Sequence, residues 1–217
     1  VQTCALPIYA GLRTDGNTFT TNGNDLVRTI SPRLSASYRL TSNFNINTSV
    51  GRYFKIAPYT VLGYRDQTTQ ALVNQSVNYI QSDHLVAGIE WMPTESRRIT
   101  VEGFYKYYDR YPVSADKGIS LANLGGNFGV LGNERVTDNG RGQTYGFEFL
   151  YQERLTKNFY GILAYTYYYS LFSGNDRNRL IASAWDNRHL ISFTGGYKLP
   201  RNWEIGVRFR SEEHTSE

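Results

Sequence analysis

The side chains that could do acid–base chemistry in this sequence are few and scattered. Asp83 and His84 are adjacent, an acid–histidine pair of the kind that some proteases use for proton transfer. Consecutive residues of a strand point to opposite faces, so this pair cannot share a proton if the segment is extended. Asp186 and His189 flank Arg188 closely, but no Gly-x-Ser-x-Gly nucleophile motif accompanies them. We therefore predict that the protein is not an enzyme, and that these last three residues anchor a loop-to-strand junction.

Metal, thiol and nucleic-acid chemistry have little support in the composition. The histidines are isolated and no acidic cluster flanks them, so we predict no metal site and no cofactor. The single cysteine, Cys4, lies in residues 1–8, which resemble translated sequencing-adapter DNA, as do residues 211–217. We expect the natural protein to be represented by residues 9–210, as an internal fragment. Lysine and arginine are scattered despite a pI of about 9.1, which argues against nucleic acid as a partner.

The elements that position the remaining polar side chains are strands, and residues 144–169 show this best. Aromatic residues occupy every second position of residues 145–151, namely Tyr145, Phe147, Phe149 and Tyr151. A glycine, a glutamate and a glutamine share the other face, namely Gly146, Glu148 and Gln152. A period of two indicates a β-strand, and residues 155–158 turn into a second arm. A soluble strand would cover its aromatic face with a second layer, whereas a membrane barrel turns that face to lipid and the polar face to a wet lumen.

Nine such strands can be placed along the chain, and short and long connections alternate between them. Three short turns have a leucine, three turn-forming residues and then an aromatic residue, at residues 40–44, 155–159 and 199–203. The long segments run over roughly 17 to 30 residues, which is uncommon inside a compact domain. Short turns at one end and long loops at the other are typical of outer-membrane barrels, and aromatic residues flank both ends as at two bilayer interfaces.

The fold class follows from these patterns together with the composition. Tyr, Phe and Trp number 18, 11 and 3, yet the mean hydropathy is −0.47 and no apolar run approaches the roughly 18 residues of a membrane helix. We predict an all-β fold, a partial transmembrane antiparallel up-and-down β-barrel of about nine strands that form a curved open sheet. A soluble β-sandwich or solenoid would explain the alternation but neither the two aromatic belts nor the unequal connections.

A resemblance to a known family rests on a series of short motifs in order. They are Ser-Pro-Arg-Leu-Ser-Ala-Ser-Tyr at 31–38, Gly-Arg-Tyr-Phe at 51–54, Ala-Pro-Tyr at 57–59, Gly-Gln-Thr-Tyr-Gly-Phe-Glu at 142–148, Ala-Tyr-Thr-Tyr at 164–167, Trp-Asp-Asn-Arg-His at 185–189 and Asn-Trp-Glu-Ile-Gly-Val-Arg-Phe at 202–209. Their order and spacing resemble the mid-barrel of TonB-dependent outer-membrane receptors. Members of that family have a barrel of about 22 strands filled by a plug domain. The resemblance implies that this chain is a later portion of the barrel.

The resemblance also implies a function, localisation and partners. It implies a receptor in the outer membrane of a Gram-negative bacterium, in contact with lipid, that imports a scarce nutrient such as an iron chelate, a vitamin or a glycan. The energy would come from the inner membrane through the TonB system acting on the plug. A passive porin-type or structural outer-membrane barrel is the alternative, and a plug domain upstream in the gene would discriminate against it. An outer-membrane barrel enzyme is a second alternative, but it requires a catalytic constellation at the barrel rim.

Two groups of candidate site residues follow. The first group has charged side chains predicted to face the lumen and the plug: Arg39, Glu90, Glu102, Lys106, Glu148, Glu204 and Arg208. They include the glutamates of a repeated Gly-x-Glu motif, and they could instead form a ladder of salt bridges between neighbouring strands. The second group consists of loop residues that could touch an external substrate: Tyr59, Tyr64 and Asn74.

Overall fold

The protein is represented by a computed structural model that describes residues 6–125 and 130–212. The described part contains ten strands: β1 (Ile8–Arg13), β2 (Ser31–Thr41), β3 (Phe44–Lys55), β4 (Ile80–Thr94), β5 (Arg97–Ser114), β6 (Val136–Thr156), β7 (Phe159–Ser173), β8 (Leu180–Ala182), β9 (His189–Lys198) and β10 (Glu204–Glu212). One short helix, α1 (Tyr59–Leu62), and three 3₁₀ turns, Leu26–Thr29, Leu121–Asn123 and Pro200–Asn202, complete it. Among these described residues, no helix has the length and apolar character needed to cross a membrane.

All ten strands belong to one antiparallel sheet. Its order is β1-β2-β3-β4-β5-β6-β7-β9-β10, so each of these strands pairs with its neighbours in the chain. Within the described residues β1 and β10 are the two edges, and the sheet is not closed. The prediction of an open, antiparallel, up-and-down all-β sheet is confirmed. The strand that sequence reasoning missed, β8, pairs with the end of β7 inside a predicted loop, and it is too short to show any alternation.

The two segments predicted to derive from sequencing adapters, residues 1–8 and 211–217, lie partly outside the residues that the structure describes. Cys4 and residues 213–217 are not among the described residues. Of the described ones, Ile8 pairs with Ala36 at the start of β1, and Ser211 pairs with Ile191 near the end of β10. The adapter origin of residues 1–8 and 211–217 stays a prediction.

The two longest strands are much longer than a membrane requires. β5 has 18 residues and β6 has 21, against the roughly 9–11 that cross a bilayer at a tilt. Their extra length lies toward the long connections, in segments that the sequence pattern assigned to a loop. Pairing continues there because two register shifts, on either side of Tyr111, absorb the irregularity beside Arg110, whose φ is 56°. We infer that these strands project past the bilayer on that side.

The sheet has one apolar face that nothing covers. Strand pairing places a large set of exposed aliphatic and aromatic side chains on this face: Leu34, Tyr38, Ile46, Val50, Leu85, Ile89, Val101, Tyr105, Phe147, Ile191, Val207 and Phe209. Leu85, for example, is 52% exposed in the middle of the sheet. A soluble sandwich would bury such a face, whereas a membrane barrel leaves it exposed over successive strands.

The long connections, rather than the sheet, contain the buried apolar core. Its members come from two of the loops and an adjoining strand end: Ala57, Val61, Leu62, Val77, Leu121 and Val136. Backbone hydrogen bonds join the loops, as from Thr21 to Gln75 and from Ala184 to Ala122. All four long connections thus form one packed layer at a single end of the sheet, and the four short turns lie at the other end.

Candidate functional site

The seven predicted lumen residues lie on the face of the sheet opposite the apolar one. Cross-strand pairs share a face, and pairing connects Arg39 to Glu90 through Asn45, and Glu102 to Glu148 directly. Lys106 follows Glu102 at an even spacing along β5. Arg208 and Glu204 occupy alternate positions of β10, opposite Thr194 and Lys198. The face assignment made from alternation therefore agrees with the register of the sheet.

Residues outside the predicted seven supply the partners of two of the glutamates on this face. Glu90 has its ion-pair partner in Arg98, with Nε and Oε2 2.5 Å apart, and it also accepts a hydrogen bond from the Asn45 amide at 3.0 Å. Glu204 accepts a hydrogen bond from the Tyr160 hydroxyl. Arg98 and Tyr160 were not among the predicted site residues, although Arg98 stands at an even spacing from Glu102 on β5.

Glu102 and Glu148 form an acidic pair with no cationic partner in the described part of the chain. They stand directly opposite each other on β5 and β6, where like charges repel. Their outer neighbours in the same row are Gly88 and Thr166. A Cβ on Gly88 would lie 2.5 Å from Cγ of Glu102, so the glycine leaves the space that this side chain occupies. Gly88, the glycine of the first Gly-x-Glu motif, thus accommodates a glutamate of the next strand.

A cavity of about 380 Å³ opens on the same face at the end nearest the long loops. Its lining is mostly aromatic and contains no carboxylate: Tyr53, Phe54, Lys55, Pro58, Ile80, Ser82, His84, Tyr108, Tyr111, Phe172 and Trp185. Phe172 stands at its centre, with ring centroids 4.6 Å from Tyr111, 5.2 Å from Tyr108 and 6.4 Å from Trp185. A volume and lining of this kind are typical of small-molecule sites.

His84 forms part of a polar wall of this cavity. Its Nε2 lies 2.6 Å from the Ser82 hydroxyl, and its ring centroid lies 4.5 Å from that of Tyr53. Arg33 also contacts the Tyr53 ring, with its Cζ 4.4 Å from the ring centre. Asp83 points to the opposite face, where Arg52 binds it at 2.7 Å. The acid–histidine pair of the sequence is therefore divided between the two faces.

The cavity was not predicted from the sequence, although alternation along the strands identifies two of its lining residues. Counting every second residue onward from Lys106 along β5 gives Tyr108, and a similar count along β7 gives Phe172. Tyr111 could not be found this way, because the irregularity at Arg110 shifts the alternation by one position. Trp185 comes from the loop before β9 and required the tertiary structure.

The predicted loop-to-strand junction forms a compact set of contacts. Asp186 is 4% exposed and accepts a hydrogen bond from the backbone N–H of Ser170 at 2.8 Å. Arg188 pairs with Asp186 at 3.1 Å, and its guanidinium lies 3.7 Å above the Tyr169 ring. His189 is on the apolar face, with Nδ1 2.8 Å from the Tyr165 hydroxyl. These contacts tie the last long loop to β7.

The three predicted substrate contacts occupy different environments. Tyr59 is 75% exposed at the start of α1, and Tyr64 is half-buried just after it. Asn74 is 1% exposed, and its amide donates to the carbonyls of Val61 and Glu134 at 2.8 Å each. Its oxygen accepts a hydrogen bond from the N–H of Val136. Asn74 therefore joins two loops from inside, because its side-chain amide forms hydrogen bonds with buried backbone groups of both. It has no exposed surface that could contact a ligand.

No group of three potential metal ligands occurs within the described ranges 6–125 and 130–212. Comparison with curated proteins gives no match to this sequence. Comparison with protein families gives a match over residues 5–216 to the model described as TonB dependent receptor-like, beta-barrel. This chain belongs to the TonB-dependent receptor family. It is a β-barrel segment of that family and is located in the outer membrane.

Solved structures of TonB-dependent receptors share the fold of this barrel segment. The pyoverdine receptor FpvA of Pseudomonas aeruginosa PAO1 matches 96% of this chain and 29% of its own, with a TM-score of 0.63 and 15% identity. The siderophore receptor PiuA of Acinetobacter baumannii matches 85% of this chain and 26% of its own, with a TM-score of 0.60 and 14% identity. The alcaligin receptor FauA of Bordetella pertussis matches 87% of this chain and 30% of its own, with a TM-score of 0.57 and 14% identity. The chain thus spans less than a third of the length of each of these receptors.

Proposed function

We propose that this chain is part of the barrel wall of a receptor that imports a scarce nutrient with energy from the inner membrane. The loop layer and the aromatic cavity face the outside and capture the nutrient, and a plug domain fills the lumen until TonB acts on it. Among an iron chelate, a vitamin and a glycan, the names of the similar structures, which include a siderophore receptor, favour an iron chelate. No catalytic role is part of this proposal.

The observation that carries the proposal is the unpaired acidic pair on the lumen face. Glu102 and Glu148 stand opposite each other at mid-sheet, and the ion pairs of the described residues leave both without a cation. Two like charges in one cross-strand pair are unfavourable unless a third group compensates them. An arginine or lysine of a plug would supply that group by charge-assisted hydrogen bonds to both carboxylates. A water-filled pore would leave the repulsion in place.

Energy coupling is required because capture and release make opposite demands. A ligand that is scarce outside must be bound tightly there, and the same binding free energy opposes its release on the other side. Binding alone therefore cannot accumulate the ligand, and work on the plug must weaken the site. Trp185 would take part in capture, since it lines the cavity at the loop end and is 43% exposed.

The proposal is tested by measuring surface binding and uptake side by side in cells that carry the full-length receptor. Radiolabelled iron chelates, cobalamin and oligosaccharides serve as probes, with and without an uncoupler of the proton gradient. We expect uptake of the bound probe to stop on uncoupling while surface binding persists. A passive porin-type barrel would continue to equilibrate solute under the same treatment, so uptake that survives uncoupling would eliminate the receptor and favour the porin.

A further inference from the structure

On β5 and β6 the apolar face has charged side chains at two levels only. Every second side chain between Arg97 and Asp109 is uncharged, and the same holds on β6 between Arg141 and Glu153. Arg97 stands opposite Glu153, and Asp109 stands opposite Arg141, so the two strands share both levels. The levels are twelve residues apart on β5, from 97 to 109, or roughly 40 Å at about 3.3 Å per residue. At a strand tilt of about 40° this is about 30 Å along the membrane normal, the thickness of the hydrocarbon core of a bilayer.

The charged level next to the long loops contains a cluster of arginines. Nη2 of Arg177 donates to Oδ1 of Asp109 at 2.7 Å, and Nε of Arg141 lies 3.9 Å from the same oxygen. Arg110 joins them from β5, since its Nη2 donates at 2.6 Å to the side-chain oxygen of Gln81, which is paired with Asp109. We call Arg110, Arg141 and Arg177 the arginine cluster.

The arginine cluster has more positive charge than its surroundings neutralise. Its three guanidinium groups share one carboxylate, that of Asp109, and Arg110 has no ion-pair partner in the part of the chain that the structure describes. Two positive charges are therefore in excess. The Nε of Arg177 is buried and has no hydrogen-bond partner among the described residues, although the side chain as a whole is 38% exposed. The cluster thus has both the charge and a free donor to bind an anion.

The charges at the level of the short turns are balanced by contrast. Arg97 binds Glu153 at 2.6 Å, and the hydroxyl groups of Tyr151 and Thr156 also donate to this carboxylate. The excess of positive charge on β5 and β6 is therefore confined to the level of the long loops.

The carboxylate of Asp83, which is also near the arginine cluster on the apolar face, does not remove this excess. Arg52 binds both of its oxygens, at 2.7 and 2.9 Å. Asp83 is therefore already neutralised by a partner of its own.

We propose that the arginine cluster binds a phosphate monoester on the headgroup of a lipid in the membrane leaflet next to the long loops. A phosphate monoester has a charge of about −1.5 to −2 near pH 7 and three acceptor oxygens, which matches an excess of two positive charges. Guanidinium groups bind phosphate through two parallel hydrogen bonds, which suits them to this ligand. The proposal depends on the membrane location of the apolar face and uses neither the nutrient nor the plug.

The position of the cluster favours a lipid over a soluble anion as its occupant. Tyr105, Tyr145 and Tyr169 form a stacked row on the apolar face, with ring centroids 6.5 and 5.2 Å apart. This row is four residues below Asp109 on β5, or roughly 13 Å along the strand. Tyrosine is enriched where hydrocarbon meets headgroups, so the cluster would lie at the height of the headgroups while the acyl chains cover the face below.

Two lipids that differ only in their phosphates test this proposal. One is an acylated diglucosamine with two phosphate monoesters, and the other is the same lipid after the phosphates have been removed. Each is titrated onto the full-length receptor in detergent, and native mass spectrometry counts the bound lipids. We expect the phosphorylated lipid to bind at least about tenfold more tightly. Inorganic phosphate at an equal concentration should not displace it, because the phosphate alone lacks acyl chains to cover the apolar face.

The variants Arg141→Gln and Arg177→Gln should each weaken binding of the phosphorylated lipid by about fivefold or more and leave the dephosphorylated lipid unaffected. Arg154→Gln is the matched control, since it removes an exposed arginine at the short-turn end of β6. Thermal unfolding verifies that each variant is folded, and either of the two cluster variants suffices for the test.

The proposal is overturned if the two lipids bind equally or if both cluster variants behave like the control. Displacement of the lipid by an equal concentration of inorganic phosphate would also overturn it, because the cluster would then bind a soluble anion. None of these results alters the uncoupler experiment, which tests the receptor function independently.

Discussion

At the scale of single residues, neighbours in the chain have opposite environments. Phe147 is 41% exposed on the apolar face, with ring centroids 5.8 Å from those of Tyr165 and Tyr167. Glu148 is on the polar face opposite Glu102. Neighbouring residues thus lie on opposite faces of the sheet, and we expect the cost of a buried charge to differ between a lipid-facing and a lumen-facing position.

Phe147→Arg in the full-length receptor should therefore lower the free energy of unfolding by about 2–4 kcal/mol, because it places a charge on the lipid face. Glu148→Gln should cost much less, since its side is hydrated and the amide oxygen can still accept a hydrogen bond. Denaturant unfolding in lipid vesicles measures both. Equal losses, or a larger loss at Glu148, would show that the two faces are exchanged.

At the scale of elements, the approach of β6 to β7 depends on a glycine. A Cβ on Gly146 would come too close to the carbonyl oxygen of Tyr167, and would lie 2.6 Å from Cβ of Tyr168. Gly103 on β5 is different, because its nearest neighbour would be 3.9 Å away. These two glycines occupy adjacent strands, yet only one of them is required by the packing.

Gly146→Ala should consequently destabilise the barrel by about 1–3 kcal/mol, since the strands must separate or Tyr168 must move. Gly103→Ala is the matched control and should change stability by less than about 0.5 kcal/mol. Both are measured by thermal unfolding of the receptor in detergent. A comparable loss in the two variants would mean that β6 and β7 are further apart than described.

At the scale of the whole molecule, two surfaces of the sheet lack the partners that a stable soluble domain would have. β1 and β10 each have a neighbour on one side only in the described part of the chain, and the apolar face is open. Unpaired strand edges invite association with other chains. The loop layer has its own core but buries only part of the sheet.

Residues 9–210 produced alone should therefore aggregate in buffer and remain dispersed only in detergent or lipid. Size-exclusion chromatography with and without detergent measures this, and the full-length receptor in detergent is the control. A soluble monomer that unfolds cooperatively in buffer would contradict both the lipid assignment of the apolar face and the open edges.

Alternation was sufficient to predict nine of the strands, their antiparallel order and their two faces, because a period of two shows directly which side chains share a face. Phe147 and Glu148 lie on opposite faces of β6, as this period predicts. Alternation could not determine β8, the burial of Asn74 or the cavity. In the sequence, Asn74 resembles a surface amide, but in the structure it binds the carbonyls of Val61 and Glu134, which belong to two different loops. Trp185 contacts Phe172 because the last loop folds back onto β7. Alternation is a local property of one strand, whereas loop packing depends on contacts between residues distant in sequence, and only the tertiary structure supplies these.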